Sequence, residues 1–251
     1  MHSIRYRVVK MALALLVIGA LPACADHVPP PPYYIQVALP YGPGVALDAY
    51  VPLQAEPHAA VLLLHPGGFV GGRRQDMRAL AAAFADEGFL ALSMDYSLPA
   101  HYGEAMVELH DAIAYVRSHF GVGRIGLFGA SAGGTIALDG AVGIRAVATW
   151  SPVLDLAHAG LLQHPANVYL DGTSPDRASP ISVIGPGYPP SLIATSRHDL
   201  IPVSQAEAVA GRLGQLRIPH ELLVFPAGHA LQYTARALEP TIEFFHRYLG
   251  L

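Results

Sequence analysis

Cysteine is almost absent from this chain of 251 residues, because Cys24 is the only one. No disulfide can form within the chain, so the fold must depend on its hydrophobic core. Basic clusters are also lacking, since the net charge is −4 and no basic run follows residue 10. The charge pattern therefore gives no reason to expect a nucleic acid or an anionic membrane surface as a partner.

Histidine is common, but the spacing that metal sites need is missing. None of the thirteen histidines is paired with another at the H-E-x-x-H or H-x-H spacing. We therefore expect no metal site.

The amino-terminal residues 1–23 have the pattern of a secretory signal peptide. Three basic residues, Arg5, Arg7 and Lys10, precede the apolar run 11–21 and then the tetrapeptide L-P-A-C that ends at Cys24. The eleven apolar residues of that run are too few to cross the roughly 30 Å of hydrocarbon in a bilayer. We expect an exported protein rather than one with a transmembrane anchor.

The end of this segment resembles a bacterial lipobox, in which the cysteine becomes the lipidated first residue of the mature protein. On this interpretation a lipid on Cys24 attaches the protein to the membrane, and residues 24–32 form a stiff tether that includes the run V-P-P-P-P. Ala25 after the cysteine favours the outer membrane in a Gram-negative host. The alternative is an ordinary signal peptide, cleaved after Ala23 or Ala25.

Residues 33–251 are predicted to form one α/β domain, with a mostly parallel central sheet and helices on both faces. Apolar runs alternate with stretches of helical periodicity, which is typical of such a sheet. A turn-rich gap at residues 40–44 indicates an antiparallel hairpin at one edge. The predicted strands are 34–39, 45–51, 59–64, 89–94, 125–128, 144–150, 192–195 and 221–225. The predicted helices lie near 77–84, 106–120, 132–141, 203–213 and 231–249.

One irregular, proline-rich stretch, 152–190, interrupts the alternation. Because it follows the sixth strand, we expect a small cap above the carboxyl ends of the sheet, where sites in such folds lie. The alternative is a surface excursion with no role at a site.

The sequence R-I-G-L-F-G-A-S-A-G-G-T, residues 124–135, looks like a nucleophile elbow. A short buried strand leads into small residues and then a helix, which places Ser131 at the apex of a sharp turn. Gly129 and Gly133 are explained by sterics, because a serine in a strained turn leaves no room for a Cβ two residues before or after it. We expect Ser131 to be an exposed nucleophile.

An active serine needs a general base and an acid that orients the base. Asp199, in S-R-H-D-L-I-P, and His229, in F-P-A-G-H-A-L, each follow a predicted strand. The order serine, aspartate, histidine is one of the known triad orders. We therefore predict Ser131, His229 and Asp199 as nucleophile, base and acid. The rival candidates, which fit a strand end less well, are His198, Asp155, Asp171 and Asp176.

The oxyanion of a tetrahedral intermediate needs backbone N–H donors, and one is predicted at Ala132, the residue after the nucleophile. His65-Pro66-Gly67-Gly68 follows the strand 59–64 and resembles the H-G-G-G oxyanion loop of esterases and lipases. Proline has no N–H, whereas the two glycines keep theirs. We predict Gly67 and Gly68 as the source of the second donor; the alternative is a plain glycine turn.

Taken together, the motifs resemble those of α/β-hydrolases of the bacterial carboxylesterase type, related to hormone-sensitive-lipase-like and exported xylan or feruloyl esterase-like enzymes. The resemblance covers nearly all of residues 33–251. Hormone-sensitive-lipase relatives usually show D-Y-R-L-A-P-E and G-D-S-A-G-G. This chain has Ser97 in place of the arginine of the first motif and Ala130 in place of the aspartate of the second. The motifs are H-P-G-G-F at 65–69, M-D-Y-S-L-P at 94–99, G-A-S-A-G-G at 129–134, S-P-I at 179–181, R-H-D-L-I-P and A-G-H.

The resemblance implies a serine esterase that acts on small-molecule esters, with short-chain acyl or small aryl esters as substrates and no cofactor. An amidase or arylformamidase with the same triad is the alternative enzyme. A catalytically inactive binding protein displayed on the cell envelope is the alternative outside enzymes, and the intact triad argues against it.

Overall fold

A single eight-stranded sheet organises the described part of the chain. The computed structural model describes residues 30–53 and 57–250, and Pro31–Leu251 forms one compact unit. The strand order is β1-β2-β4-β3-β5-β6-β7-β8. The strands are β1 Tyr33–Gly42, β2 Val45–Pro52, β3 Ala59–Leu64, β4 Leu90–Met94, β5 Arg124–Ala130, β6 Ala146–Trp150, β7 Ser191–His198 and β8 His220–Ala227.

All neighbouring pairs from β4 to β8 are parallel, and the two antiparallel pairs are β1 with β2 and β2 with β4. The helices are α1 Arg78–Asp86, α2 Tyr102–Phe120, α3 Ala132–Asp139, α4 Gln163–Leu170, α5 Pro175–Ala178, α6 Pro180–Val183, α7 Val203–Gln215 and α8 Thr234–Phe245. The predicted mostly parallel sheet with helices on both faces is confirmed.

The core lies on both faces of the sheet, as alternate residues of β3 show. Ala60, Leu62 and Leu64 belong to a cluster that includes buried residues of α2, α3 and α7. Ala59, Val61 and Leu63 belong to a second cluster, with residues of α1 and α8. Both faces of β3 are fully buried, which explains why its sequence is a continuous apolar run.

The predicted edge hairpin is present, but β1 is longer than the sequence indicated. Its pairing with β2 continues to Gly42, and two register shifts interrupt the ladder around residues 36–39 and 40–42. The first includes Ala38, which has a positive φ of 54° and donates its N–H to Asp48. A proline is tolerated at Pro40 because β1 is an edge strand with bulges.

Several predicted ends differ from those observed. The predicted strands 89–94 and 144–150 begin later, at Leu90 and Ala146. The predicted helix 231–249 is three pieces: a 3₁₀ turn Ala230–Tyr233, then α8, then a π-helical turn His246–Gly250. Within residues 30–53 and 57–250, no helix has the length and apolarity needed to cross a membrane.

The proline-rich stretch 152–190 folds into short helices, and Tyr169 in α4 is one of its contacts with the rest of the domain. The ring of Tyr169 stacks on Phe69 with centroids 4.4 Å apart, and its hydroxyl donates to Asp139 Oδ2 at 3.0 Å. The stretch is therefore packed between the loop after β3 and the end of α3. Its role as a cap over substrate stays a prediction. The predicted signal peptide and Cys24 lie outside the described residues.

Candidate active site

The turn between β5 and α3 has the geometry that the elbow motif requires. Ser131 occupies it with φ 52° and ψ −120°, a conformation that a non-glycine residue rarely adopts. A Cβ on Gly129 would lie 2.2 Å from the carbonyl oxygen of Gly133, and one on Gly133 would lie 2.4 Å from that of Leu64. The steric explanation of both glycines is confirmed.

The prediction that Ser131 is exposed is wrong, since only 3% of its surface is accessible. Its N–H donates to the carbonyl of Trp150 at 2.8 Å, and its hydroxyl lies 2.9 Å from His229 Nε2. The imidazole therefore covers the hydroxyl, which the sequence pattern of the elbow does not reveal.

His229 follows β8 and connects the serine to Asp199. Its Nδ1 lies 2.6 Å from Asp199 Oδ1, and its own backbone N–H donates to Gln232 Oε1 at 2.7 Å. The imidazole is 20% exposed, whereas the Asp199 side chain is fully covered. The three residues predicted from the sequence are thus brought together because β5, β7 and β8 are parallel and end at the same edge of the sheet.

The hydrogen bonds of Asp199 stabilise the ionised form of its carboxyl group. Burial alone would raise the pKa of this carboxyl, but hydrogen bonds from His229 and Ser151, together with the charge of His229, outweigh it and lower the pKa below its ordinary value. The N–H of Leu200 also donates to Oδ1 at 2.6 Å. Asp199 is therefore an ionised acceptor that can support a positive charge on the imidazole.

The predicted oxyanion donors lie on two segments that are in close contact, the start of α3 and the loop after β3. Ala132 is the first residue of α3, and the first N–H groups of a helix have no partner within it. Gly67 and Gly68 have φ values of 146° and 60°, and among the described residues their N–H groups have no backbone partner. The start of α3 touches the end of β3, where this loop begins. Their role as donors to an oxyanion stays a prediction.

In the part of the chain that the structure describes, the side chains of the rival acids and histidine make no hydrogen bond to Ser131, His229 or Asp199. Asp155 pairs with exposed His158 at 2.8 Å, and Asp171 lies 3.6 Å from His101. His198 is exposed at the end of β7, and Asp176 is in α5.

Two residues of the site were missed from the sequence, Ser151 and Tyr233. Ser151 follows β6 directly, and its hydroxyl contacts both Asp199 and the hydroxyl of Tyr233. A signal was available for Ser151, because it occupies the same strand-end position as the predicted triad residues. Tyr233 lies in the turn before α8 and offered no such pattern.

Comparison with known proteins gives a family match and many structural neighbours. Residues 61–180 match a family model described as the alpha/beta hydrolase fold. Esterase 2 of Thermogutta terrifontis, solved after phosphonylation by sarin, superposes with a TM-score of 0.77 at 22% identity, over 87% of this chain and 96% of that one. A truncated carbohydrate esterase from gut microbiota gives 0.77 at 18% identity, over 88% and 98%.

An esterase from the bacterial hormone-sensitive lipase family also superposes with a TM-score of 0.77, at 22% identity, over 90% of this chain and 88% of that one. No curated protein matches the chain. The sheet order, the family match and these superpositions together show that this chain has the α/β-hydrolase fold.

Proposed function

We propose that this α/β hydrolase cleaves carboxylic esters through an acyl-enzyme on Ser131. The observation that carries the proposal is the continuous relay of two hydrogen bonds, 2.9 Å from Ser131 Oγ to His229 Nε2 and 2.6 Å from His229 Nδ1 to Asp199 Oδ1. Both distances are within the reach needed for proton transfer. The names of the structural neighbours, which are esterases, support the same reaction class.

In the first half of the reaction, Ser131 Oγ attacks the ester carbonyl carbon while its proton passes to His229 Nε2. The imidazolium that forms is stabilised by ionised Asp199. The carbonyl oxygen becomes an oxyanion, which accepts hydrogen bonds from the N–H of Ala132 and from the loop at Gly67 and Gly68. Collapse of the intermediate breaks the ester bond, and His229 returns the proton to the leaving alcohol.

In the second half, water attacks the acyl-enzyme and loses a proton to His229 Nε2. A second tetrahedral intermediate forms on the same oxyanion donors. Its collapse releases the carboxylic acid and returns the proton to Ser131 Oγ. The bonds formed and broken balance without a metal or an organic cofactor.

The proposed substrates are short-chain acyl or small aryl esters, and the surface at the carboxyl edge of the sheet supports an apolar substrate. Large apolar side chains are exposed in four of the loops that follow parallel strands, although exposed apolar groups cost free energy in water. They are Val70 after β3, Leu98 after β4, Leu161 after β6 and Leu200 after β7.

A variant pair tests this substrate surface. Leu161→Ser is expected to lower kcat/KM for a p-nitrophenyl butyrate more than for the acetate, because the longer acyl chain buries more apolar area. Val142→Ser is the control, since Val142 is also a large apolar residue that is exposed but lies between α3 and β6, at the opposite end of the sheet. Equal effects of the two variants on both esters would contradict the assignment.

The reaction class is tested by a substrate panel on the purified protein. We expect turnover of p-nitrophenyl acetate and butyrate, and the panel should include acetylated xylan, a feruloyl ester and N-formylkynurenine. Preference for N-formylkynurenine over every ester would make the protein an arylformamidase. No turnover of any member would favour an inactive binding protein.

We also propose that the protein is an exported lipoprotein anchored through Cys24. The basic residues, the apolar run 11–21 and the L-P-A-C sequence support this proposal. The full chain expressed in a Gram-negative host should fractionate with membranes and start at a lipidated Cys24, and Cys24→Ser should remove the lipid. A mature amino terminus beyond residue 24 without lipid would contradict it.

A further inference from the structure

Ser151 lies fully buried directly after β6, and its hydroxyl contacts three residues, Asp199 in the loop after β7 and Ala230 and Tyr233 in the 3₁₀ turn before α8. Its Oγ lies 2.5 Å from Asp199 Oδ2 and 2.7 Å from the hydroxyl of Tyr233. The N–H of Ala230, the residue after His229, donates to the same oxygen at 2.9 Å. One side chain thus joins the loop of the acid to the loop of the base.

The direction of these hydrogen bonds follows from the chemistry of the partners. An ionised carboxylate can only accept, so the proton of the Ser151 hydroxyl points at Asp199 Oδ2. A backbone N–H can only donate, so Ala230 donates to Ser151 Oγ. Burial raises the pKa of Tyr233, which keeps its hydroxyl neutral and able to donate to Ser151 or to the carbonyl of Ala194 at 3.0 Å.

The backbone at Ser151 is held in an unfavourable conformation. Its φ is 50°, in the left-handed region that a non-glycine residue seldom adopts. The conformation is fixed by the N–H of Ser151, which donates to the carbonyl of Ala194 at 2.7 Å. Such strain is commonly found at functional sites, and here it places the hydroxyl against Asp199.

We propose that Ser151 is a positioning residue of the triad, which holds Asp199 Oδ2 so that Oδ1 faces His229 and also fixes the backbone next to His229. The proposal rests on the proposed esterase function. Ser151 does not touch substrate; it acts through Asp199 and the loop of His229. Without its hydroxyl, Oδ2 loses its side-chain donor and the carboxylate is free to rotate.

The kinetic test compares variants that remove the hydroxyl with a matched control. Ser151→Ala should lower kcat for p-nitrophenyl butyrate by about 10- to 100-fold, the range for one hydrogen bond to a charged group, and change KM by less than about 3-fold. Ser151→Gly removes the same hydroxyl and relieves the positive φ, so it should be better folded yet equally slow. The control is Ser191→Ala, because Ser191 is a buried serine whose hydroxyl donates to the carbonyl of Pro189.

A double-mutant cycle separates positioning from a general structural role. In the Asp199→Asn background, Ser151→Ala should lower kcat by less than about 2-fold, because residues that act through one another are not additive. Full kcat in both Ser151 variants, or an undiminished effect in the Asp199→Asn background, would overturn the proposal.

A readout that needs no substrate distinguishes failure of this proposal from failure of the proposed function. The Nδ1 proton of His229, bonded to Asp199, should give a far-downfield ¹H NMR signal that shifts or broadens in Ser151→Ala and is unchanged in Ser191→Ala. If wild type turns over no ester but this signal still responds to Ser151→Ala, only the function is wrong. An unchanged signal in Ser151→Ala would overturn the positioning role.

Discussion

A Cβ atom on Gly133 would lie 2.4 Å from the carbonyl oxygen of Leu64, so the first turn of α3 is pressed against the end of β3. Gly133→Ala must therefore push the nucleophile away from the loop that carries Gly67 and Gly68. Because a misplacement of about 1 Å can cost on the order of 10²-fold in rate, we expect a kcat reduced by that order. Ester turnover of the purified variant measures it.

The control for this substitution is Gly211→Ala, in the interior of α7, where an added Cβ would meet nothing within 4 Å. We expect unchanged kcat and a free energy of unfolding higher by about 0.5–1 kcal/mol, since alanine favours a helix over glycine. Wild-type kcat in Gly133→Ala would show that the contact with β3 does not position Ser131.

The two glycines of the predicted oxyanion loop should respond differently to alanine. A Cβ on Gly67 would lie 1.9 Å from the carbonyl oxygen of Gly71, whereas one on Gly68 would meet nothing within 4 Å. Gly67→Ala should displace the donors and lower kcat by up to the 10²–10³-fold that loss of one donor costs. Gly68→Ala keeps its N–H, so kcat should fall much less, with stability lowered by roughly 1–2 kcal/mol for the positive φ.

Comparison of kcat for the two purified variants tests this prediction. An equal loss in both would contradict the prediction, because an added Cβ on residue 68 meets no atom within 4 Å that would displace the loop. Wild-type kcat in Gly67→Ala would place the second donor elsewhere.

Threonine to valine should have opposite effects at two fully buried positions. Thr241 Oγ1 accepts the indole N–H of Trp150 at 3.1 Å, so Thr241→Val leaves a buried donor unpaired and should cost about 1–3 kcal/mol. Thr149 Oγ1 has no partner among residues 30–53 and 57–250, so Thr149→Val should be neutral or stabilising. Urea unfolding of both variants checks this, and destabilisation of equal size in both would contradict it.

Asp139 should make stability depend on pH. Burial raises the pKa of this carboxyl well above its ordinary value, and the hydrogen bond from Tyr169 offsets only part of the rise. The folded state therefore holds a proton that the unfolded chain releases above about pH 4. The contribution of this proton to the free energy of unfolding is largest below about pH 4. It decreases as the pH rises from there towards the raised pKa of the folded state.

Asp139→Asn removes this titration and keeps the shape of the side chain. The free energy of unfolding of wild type, minus that of Asp139→Asn, should fall as the pH rises above about 4, because the raised pKa of the folded state lies above that of the unfolded chain. Chemical denaturation at several pH values measures the difference, and a difference that does not change with pH would contradict the buried, protonated carboxyl.

The sheet and the positions of Ser131, Asp199 and His229 were predictable because each depends on local sequence. Apolar runs predict buried strands, and residues directly after parallel strands meet at one edge. The same logic applied to the end of β6 points to Ser151, although the sequence could not show that its hydroxyl meets Asp199, 48 residues later.

The remaining differences depend on contacts between distant parts of the chain. Ser131 is buried, and its hydroxyl lies against His229, 98 residues away. The extended part of β1 makes hydrogen bonds to Asp48, through the N–H of Ala38, and to the carbonyl of Asp95, through the hydroxyl of Tyr41. Local propensity holds no information about such partners, so neither result follows from periodicity or spacing.

The central claim is that Ser131 is the nucleophile and acts as one unit with His229. The most direct test is kcat for p-nitrophenyl acetate in wild type, Ser131→Ala, His229→Ala and the double variant. Each single variant should lose nearly all turnover, and the double variant should lose little more, because the effects of such residues do not add. A Ser131→Ala variant that keeps even a tenth of wild-type kcat would contradict the account.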